Sequence, residues 1–350
     1  MLIRDLLSNI TLFWSLSFER NILRAIAIRS KDELGDRVVM SNSEQAKKSA
    51  NNINKATAKE TEKIARVMSP ESIVADELPP KPDYPRYRVT SDAPIKLSQI
   101  EPDTCENYQK KKEIEEELEY QRQRLSLLQE RLYAEQQRSL LIVLQAMDTG
   151  GKDGTIKHVF QGINPQGCRV WSFKHPSQEE LSHDFLWRYH RRTPQRGMIN
   201  IFNRSHYEDV LIVRVKKLVE EEVWQKRYHS INEFERMLSL NNINIIKFFL
   251  HISKDEQKRR LEKRLADPDK LWKFSINDVN ERKLWDDYQQ AYEDAINYCA
   301  TDYAPWYVVP ANKKWYRNLV IARAIADTLE AMNPQYPAVE GNLENTIIPD

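Results

Sequence analysis

The sequence predicts an α/β fold in which helices cover both faces of an open, parallel, five-stranded sheet. Five short apolar runs follow one another along the chain, helical segments separate them, and a glycine-rich turn follows the first run. Strands that are apolar on both faces are typical of parallel sheets buried between helices. Their alternation with helices indicates a three-layer α/β/α architecture.

The predicted elements follow in order along the chain. A long charged helix from about residue 107 to residue 139 carries a sparse apolar stripe, typical either of a coiled-coil arm or of a helix packed over the main domain. The predicted strands are SLLIVLQ (139–145), CRVWSF (168–173), MINIF (198–202), INIIKFFLHIS (243–253) and WYVV (306–309). Ser177 and Ser253 each precede a glutamate by three residues, which predicts a capping box at two helix starts.

The composition predicts three segments: an N-terminal extension and linker at 1–85, a main domain at 86–332 and a C-terminal tail at 333–350. The extension is polar and ends in a proline-rich stretch, so we expect it to be partly disordered or helical. The uncharged stretch at its start is too short to span a bilayer. The spacing of the apolar residues there predicts an amphipathic helix. Docking on the protein or a partner subunit is the favoured role of this helix, and membrane-surface binding is the alternative.

The charge balance excludes a strong attraction of the whole molecule for nucleic acid or membrane. Fifty-three basic and 52 acidic residues give a formal charge of +1, so a polyanion site must come from local clustering. The three cysteines lie far apart without metal-ligand spacing, which indicates a reduced, cytoplasmic protein. The seven histidines show no metal-ligand spacing either.

The stretch QAMDTGGKDGT, residues 145–155, has the pattern of a phosphate-binding loop. Three of the eight glycines in the chain lie there, between a predicted strand and a predicted helix: Gly150, Gly151 and Gly154. Glycines let the backbone approach an anion, and a helix N-terminus supplies N–H donors. Lys152 matches the lysine of G-x-x-x-x-G-K-[ST], but Ala146 replaces the first glycine and Asp153 replaces the magnesium-binding Ser or Thr. A plain glycine turn is the alternative.

Asp148 is the candidate that replaces the missing hydroxyl as a magnesium ligand, and bracing the turn is its alternative role. At the end of the third predicted strand, IFNRSHYEDV (201–210) presents Asn203, a neutral oxygen ligand at best. Arg204 follows directly, and its guanidinium suits phosphate oxygens. Asp209 is interpreted as part of an ordinary charged helix start.

The stretch RYHRRTPQR, residues 188–196, contains four arginines and no acidic residue. It is typical either of a track for a long polyanion across the mouth of the site or of a solvated charged face. Arg191 and Arg192 are the candidates in this stretch for binding phosphate, and Lys157 and Lys174 are candidates to extend the track.

The chain resembles the family-two polyphosphate kinases, P-loop enzymes that move phosphate between inorganic polyphosphate and nucleotides. The resemblance covers about residues 85–330 and includes QAMDTGGKDGTIKHV, DFLWRYHRRTPQRG, FNRSHYEDVLIVRV, LWDDYQQAYEDA and YAPWYVVPANKKWYRN. It implies a P-loop kinase fold like that of thymidylate-type kinases, with a helical lid. We also expect a homo-oligomer.

The resemblance implies roles for individual residues. Asp148 resembles the acid that organises the metal, and Arg204 and Arg214 would close over the reacting phosphates from the lid region. The residues that would grip the transferring phosphates are Gly150, Gly151, Lys152, Asp153, Gly154 and Thr155. Much of the family has Asp where Asn203 stands, and Asn203 together with Glu208 resembles the branch that accepts nucleoside monophosphates as well as diphosphates.

The expected function is therefore Mg²⁺-dependent phosphoryl transfer between polyphosphate and nucleotides, with AMP and ADP converted to ADP and ATP. Mn²⁺ is the alternative ion. An ATP-dependent nucleoside monophosphate kinase and a non-catalytic polyanion-binding protein are the alternative functions. No nucleic-acid partner and no membrane span are expected.

Overall fold

The computed structural model describes residues 86–106, 108–338, 346, 348 and 349. The predicted extension over residues 1–85, including its amphipathic helix, lies outside the described residues. No helix in the described part of the chain is long and apolar enough to cross a bilayer.

The described core is built around one six-stranded sheet. Its strands are β1 Arg88–Val89, β2 Ser139–Gln145, β3 Cys168–Ser172, β4 Ile199–Asn203, β5 Ile243–His251 and β6 Trp306–Pro310. Their order across the sheet is β1–β6–β5–β2–β4–β3, with parallel pairing throughout except that β1 runs antiparallel to β6. The five predicted strands are confirmed. The predicted count of five is corrected to six, because the two residues of β1 form no apolar run.

The strand β3 differs from the prediction that every strand is buried on both faces. All residues of β2 are buried, whereas none of β3 is. The reason is position, since β3 forms an edge of the sheet and has only β4 as a neighbour. Val170 on this strand is accordingly 45% exposed.

The helices of the described region are α1 Glu115–Glu135, α2 Lys152–Val159, α3 Gln178–Leu181, α4 Trp187–His190, α5 Ile212–Val215, α6 Glu221–Leu240, α7 Lys254–Leu265, α8 Ile276–Glu281, α9 Trp285–Cys299 and α10 Lys314–Met332. Short 3₁₀ helices lie at Leu97–Gln99, Lys111–Ile114, Pro165–Gly167, His206–Asp209, Pro268–Lys273 and Arg282–Leu284.

The long predicted helix before β2 consists of a 3₁₀ turn followed by α1, and α1 packs against α10. Ile114, Leu125 and Leu132 of its apolar stripe are fully buried. Arg124 on the same face forms an ion pair with Asp327 of α10 at 2.8 Å. Of the two interpretations of this segment, the packed helix is the one that the structure shows.

The two predicted capping boxes have different outcomes. Ser177 forms the complete box, because its hydroxyl accepts from the Glu180 N–H at 3.2 Å and the Glu180 carboxylate accepts from the Ser177 N–H at 2.8 Å. The Ser253 hydroxyl accepts from the Glu256 N–H at 3.1 Å. The Glu256 carboxylate, however, binds Arg260 at 2.6 Å. The second predicted box is therefore a single N-cap, because the Glu256 carboxylate accepts from an arginine one turn later and not from the Ser253 N–H.

A buried ion pair lies between β5 and α6. Lys247 is fully buried and donates to the Glu235 carboxylate at 2.5 Å, the Tyr207 hydroxyl at 2.8 Å and the Cys299 carbonyl at 2.8 Å. Glu235 also contacts the His206 ring at 3.0 Å. Removal of one partner would leave the other as an unpaired charge in the core.

Candidate active site

The candidate phosphate loop, residues 145–155, begins at the carboxyl end of the central strand β2. Leu144 of β2 pairs with Asn203 of β4, so the segments that follow these two strands share one edge of the sheet. This edge is where parallel α/β sheets bind their ligands. The loop turns through a hydrogen bond from the Gly150 N–H to the Met147 carbonyl at 2.9 Å and enters α2 through Gly151.

Two glycines of the loop are required by the space around them. A Cβ at Gly150 would lie 2.5 Å from the Ala146 Cβ and 2.8 Å from the Met147 carbonyl oxygen. Gly151 has a φ of 108°, and a Cβ there would collide with Nη1 of Arg317. The loop therefore accommodates Ala146, at the position of the missing first glycine, only because residue 150 has no side chain.

Lys152 lies against the backbone of its own loop. Its Nζ donates to the Ala146 carbonyl at 2.9 Å. Burial, and then the charge of Arg204, lower the pKa of Lys152 to about 8, while Asp148 and Glu208 oppose the change. A desolvated lysine beside a second cation gains from any anion that approaches, because the anion restores its charged form. Such a perturbed pKa in a loop of this shape favours a functional site.

Arg204 connects the end of β4 to the loop. Its backbone adopts a φ of 65°, with its N–H bonded to the Leu144 carbonyl, and its Nη2 donates to Oδ1 of Asp148 at 2.7 Å. Burial disfavours the guanidinium charge, but Glu208 and Asp148 raise the pKa of Arg204. The structure thus brings together four of the predicted residues, Asp148, Lys152, Arg204 and Glu208.

Asn203 donates from Nδ2 to Oδ1 of Asp153 at 2.8 Å. A carboxylate at the end of β4 would instead face the Asp153 carboxylate at this distance, and two like charges so close repel each other. Asp153 of the loop and Asn203 at the end of β4 are therefore complementary within this chain.

The residues at the loop fit a magnesium ion shared with substrate. No cluster of three or more His, Cys, Asp or Glu side chains suited to a metal occurs among the described residues. Mg²⁺, however, usually binds through one or two carboxylates and completes its shell with waters and substrate phosphates. Asp148 suits this mode, because Arg204 contacts only Oδ1 of its carboxylate. Burial and then the charge of Asp148 raise the pKa of Asp278 of α8, which forms an ion pair with Arg264 at 3.5 Å.

The model of the family Polyphosphate kinase 2 (PPK2) matches residues 108–337. The chain belongs to this family. It is 53% identical over 264 residues to the AMP/ADP-polyphosphate phosphotransferase of Meiothermus ruber, covering 75% of this chain and 99% of that protein. It is 49% identical over 242 residues to the ADP-polyphosphate phosphotransferase of Rhodopseudomonas palustris, covering 66% and 84%. The crystal structure of polyphosphate kinase 2 from Arthrobacter aurescens superimposes with a TM-score of 0.71 at 42% identity, covering 74% of this chain and 92% of that one.

Other residues that the polyphosphate kinase 2 motifs single out have partners within the protein. The Thr155 hydroxyl and N–H both donate to the Gly151 carbonyl, at 3.1 and 2.9 Å. A direct phosphate contact from Thr155 would require these bonds to break. Arg214 donates to Asp294 of α9 at 2.7 Å and lies 4.5 Å from the Trp224 ring. Movement of Arg214 onto the phosphates would require release from Asp294.

Two of the four arginines before β4 lie within ion-pair distance of glutamates of α3, although the arginine stretch itself contains no acidic residue. Arg188 is buried, lies 3.4 Å from Glu180 and donates to the Lys174 carbonyl. Arg191 lies 3.8 Å from Glu179.

Arg191 and Arg192 also stack on aromatic rings. Arg191 lies 4.6 Å from the Trp187 ring and Arg192 lies 4.0 Å from the Trp171 ring. With Arg169 they line a pocket of about 120 Å³ on the β3 side of the sheet. Phosphate binding by Arg191 and Arg192 stays a prediction. Asp209 lies in the 3₁₀ helix His206–Asp209, as predicted for a charged helix start, and its partly buried carboxylate also accepts from the Tyr189 hydroxyl at 3.1 Å. Burial raises the pKa of Asp209 to about 6.

Two arginines beneath the loop were not identified from the sequence. Arg260 of α7 donates to the Thr149 and Gly150 carbonyls at 3.1 and 2.9 Å. Arg317 of α10 is fully buried and lies 3.5 Å from the same Gly150 carbonyl. Both lie more than a hundred residues beyond the loop, so no local pattern joins them to it. The only available signal was their presence in the family-like stretches KDEQKRRLEKR and KKWYRN.

Proposed function

We propose that this chain transfers phosphoryl groups from inorganic polyphosphate to AMP and ADP, with a magnesium ion held by Asp148. The observation that carries the proposal is the contact of Asp148 with Arg204 beside Lys152 on the glycine loop. The substrate pair is supported by relatives named AMP/ADP-polyphosphate phosphotransferase and ADP-polyphosphate phosphotransferase. Mn²⁺ is the alternative ion.

In-line phosphoryl transfer requires positioned reactants and stabilised charge rather than a covalent intermediate on the protein. Lys152 of the loop and Arg204, which contacts Asp148, supply positive charge, and the loop N–H groups at the start of α2 add donors. Asp148 would hold the ion, which would supply positive charge to neutralise phosphate oxygens of the substrates. Asn203 holds Asp153 in place without adding a charge next to Asp148.

The test is to incubate the purified chain with Mg²⁺ and polyphosphate, with AMP or ADP in separate reactions, and to resolve the nucleotides by ion-exchange chromatography. ADP and ATP from AMP, and ATP from ADP, are the expected products. Turnover only when ATP replaces polyphosphate would indicate an ordinary nucleoside monophosphate kinase. Binding of polyphosphate without any turnover would indicate a polyanion-binding protein.

The proposal includes a cytoplasmic homo-oligomer. The three cysteines are free thiols, which supports a reducing compartment. Native mass measured by light scattering tests the oligomer directly, and a monomeric mass would contradict it.

A further inference from the structure

Residues 205–207 form a polar turn directly after Arg204. Their side chains carry a hydroxyl, an imidazole and a phenol, yet all three residues are fully buried. Glu208 follows the turn, so two residues of the candidate site flank it. Buried polar groups require hydrogen-bond partners, so the partners of this turn decide how firmly it is held.

One carboxylate, that of Glu235 on α6, binds two of the three side chains. Its Oε1 lies 3.0 Å from Nε2 of His206 and accepts from the Tyr207 hydroxyl at 2.9 Å. Its Oε2 accepts from Nζ of Lys247 on β5 at 2.5 Å. Lys247 also donates to the Tyr207 hydroxyl at 2.8 Å, which closes a ring of contacts. We call these four residues, His206, Tyr207, Glu235 and Lys247, the Glu235 network.

Glu235 carries the charge that these contacts require. Burial favours the neutral carboxyl, but the charge of Lys247 and the hydrogen bond of His206 hold the pKa of Glu235 below its ordinary value. Burial lowers the pKa of His206, so its imidazole is neutral at neutral pH. Because a carboxylate can only accept, Nε2 of this imidazole carries the hydrogen and donates it. Two donors from the turn therefore converge on one buried carboxylate.

The third side chain of the turn joins it to the start of the phosphate loop. The Ser205 hydroxyl accepts from Nε2 of Gln145 at 3.2 Å and from the Tyr207 N–H at 3.3 Å. Gln145 is the last residue of β2. The turn is thus held to β2 on one side and to α6 and β5 on the other.

Arg204 requires such support because its backbone is strained. Its φ of 65° lies in the left-handed region, which residues with a Cβ rarely adopt. A backbone of this kind costs free energy and persists only where the surrounding contacts enforce it. The Arg204 N–H donates to the Leu144 carbonyl at 3.1 Å, and with this backbone its Nη2 reaches Asp148 at 2.7 Å. The contacts on the other side of Arg204 are those of the buried turn.

We propose that the Glu235 network holds Arg204 in its left-handed conformation and thereby positions its guanidinium for phosphoryl transfer. The proposal rests on the proposed function, in which Arg204 acts on the phosphates. The four residues of the network are positioning residues, because all are fully buried and none can contact a substrate. Their effect on the reaction passes through the turn. A network that only stabilises the core is the alternative, and it predicts no selective effect on the chemical step.

The test removes one hydroxyl from the network and leaves its ion pair in place. Tyr207→Phe keeps the contact between Lys247 and Glu235, whereas Glu235→Gln would leave the lysine unpaired. Tyr207→Phe should lower kcat with ADP and polyphosphate about 5-fold, the equivalent of about 1 kcal/mol for one hydrogen bond. KM for both substrates should stay nearly unchanged, because the guanidinium is positioned for the transition state.

Tyr303→Phe is the matched control for the loss of one hydroxyl. The Tyr303 hydroxyl also donates to α6, to the Asn232 carbonyl at 3.1 Å, and this hydrogen bond lies outside the turn. Tyr303→Phe should therefore keep its kcat. An equal loss of kcat in Tyr303→Phe and Tyr207→Phe would overturn the proposal.

A double-mutant cycle decides whether the effect passes through Arg204. In the Arg204→Ala background, Tyr207→Phe should lower kcat no further, because the guanidinium that the network positions is gone. The same loss in both backgrounds would overturn the proposal, since the hydroxyl would then act elsewhere.

A second measurement does not depend on turnover. The Arg204 amide, which donates to the Leu144 carbonyl, should exchange its hydrogen faster in Tyr207→Phe than in the unsubstituted chain, and Tyr303→Phe should not change this rate. Unchanged exchange in Tyr207→Phe would overturn the proposal. Absence of turnover by the unsubstituted chain with polyphosphate would instead overturn the proposed function, and the exchange rates would still test the hold of the network on Arg204.

Discussion

Replacement of Gly151 by alanine should lower activity far more than it lowers stability. Gly151 has φ 108° and ψ 21°, and its missing Cβ is the space that Nη1 of Arg317 occupies. Arg317 is fully buried and held by Oδ1 of Asn318 at 2.8 Å, so the guanidinium cannot move aside without losing contacts. The loop backbone must therefore shift instead.

The magnitude follows from two separate costs. An L-residue in the left-handed region costs about 1–2 kcal/mol. Loss of one hydrogen bond of a buried guanidinium costs about 1.5–3 kcal/mol. Their sum is smaller than most of the range of about 5–15 kcal/mol that stabilises folded domains. A displacement of roughly 1 Å at the reacting phosphates, by contrast, costs about 100-fold in rate.

The assay is kcat/KM for polyphosphate and ADP, with stability measured by urea denaturation on the same preparations. Gly162→Ala is the matched control, because Gly162 has φ 88° and no atom lies within 4 Å of its would-be Cβ. It should lose about 1–2 kcal/mol from the left-handed backbone alone and keep its activity. Gly151→Ala with more than a third of the original kcat/KM, or an equal loss in Gly162→Ala, would refute the reasoning.

Three further predictions follow from buried or paired charges. Glu235→Gln leaves Lys247 unpaired in the core, so urea denaturation should show a free energy of unfolding lower by about 3–5 kcal/mol. A loss below about 1 kcal/mol would contradict this burial. The pKa of Lys152 near 8 means that its charge is present below pH 8 and lost above it. The value of kcat/KM for polyphosphate should therefore fall as the pH rises through 8, and a flat profile would count against the assignment. Asn203→Asp sets two carboxylates against each other and should destabilise the fold by about 1 kcal/mol. Adding Asp153→Asn should restore most of that loss in a double-mutant cycle, and strict additivity would disprove the pairing.

The fold was predictable where local pattern and burial agree. The run at 139–145 coincides with β2, because a central strand covered on both faces must be apolar throughout. The strand β1 could not be predicted in this way, because it has only two residues. The edge position of β3 could not be predicted either, because its apolar residues resemble those of a central strand. At α7 the capping residue Ser253 was predictable. The contact of Arg260 with the Glu256 carboxylate was not, because the position of Arg260 depends on its hydrogen bonds to the carbonyls of the phosphate loop.

The candidate site was predictable to the extent that it is encoded in continuous stretches of sequence. The glycines, Lys152 and Asp148 lie within one loop, and Arg204 directly follows a predicted strand. Arg260 and Arg317 come from distant helices and reach the loop only through the packing of the sheet. The pairing of Arg191 with Glu179 likewise depends on where α3 lies beside the chain.

Asp153, which departs from the common phosphate-loop pattern, and Asn203 at the end of β4 explain each other. With Asp153 at the position of the usual hydroxyl, a second carboxylate at the end of β4 would concentrate negative charge beside Asp148, where phosphates must approach. Asn203 carries no charge, and its amide donates to the Asp153 carboxylate at 2.8 Å. Asp148, whose Oδ1 accepts from Arg204 at 2.7 Å, is then the carboxylate that we propose as the cation ligand. The loop therefore concentrates its positive charge on Lys152 and Arg204, which suits a substrate pair in which donor and acceptor are both polyanions.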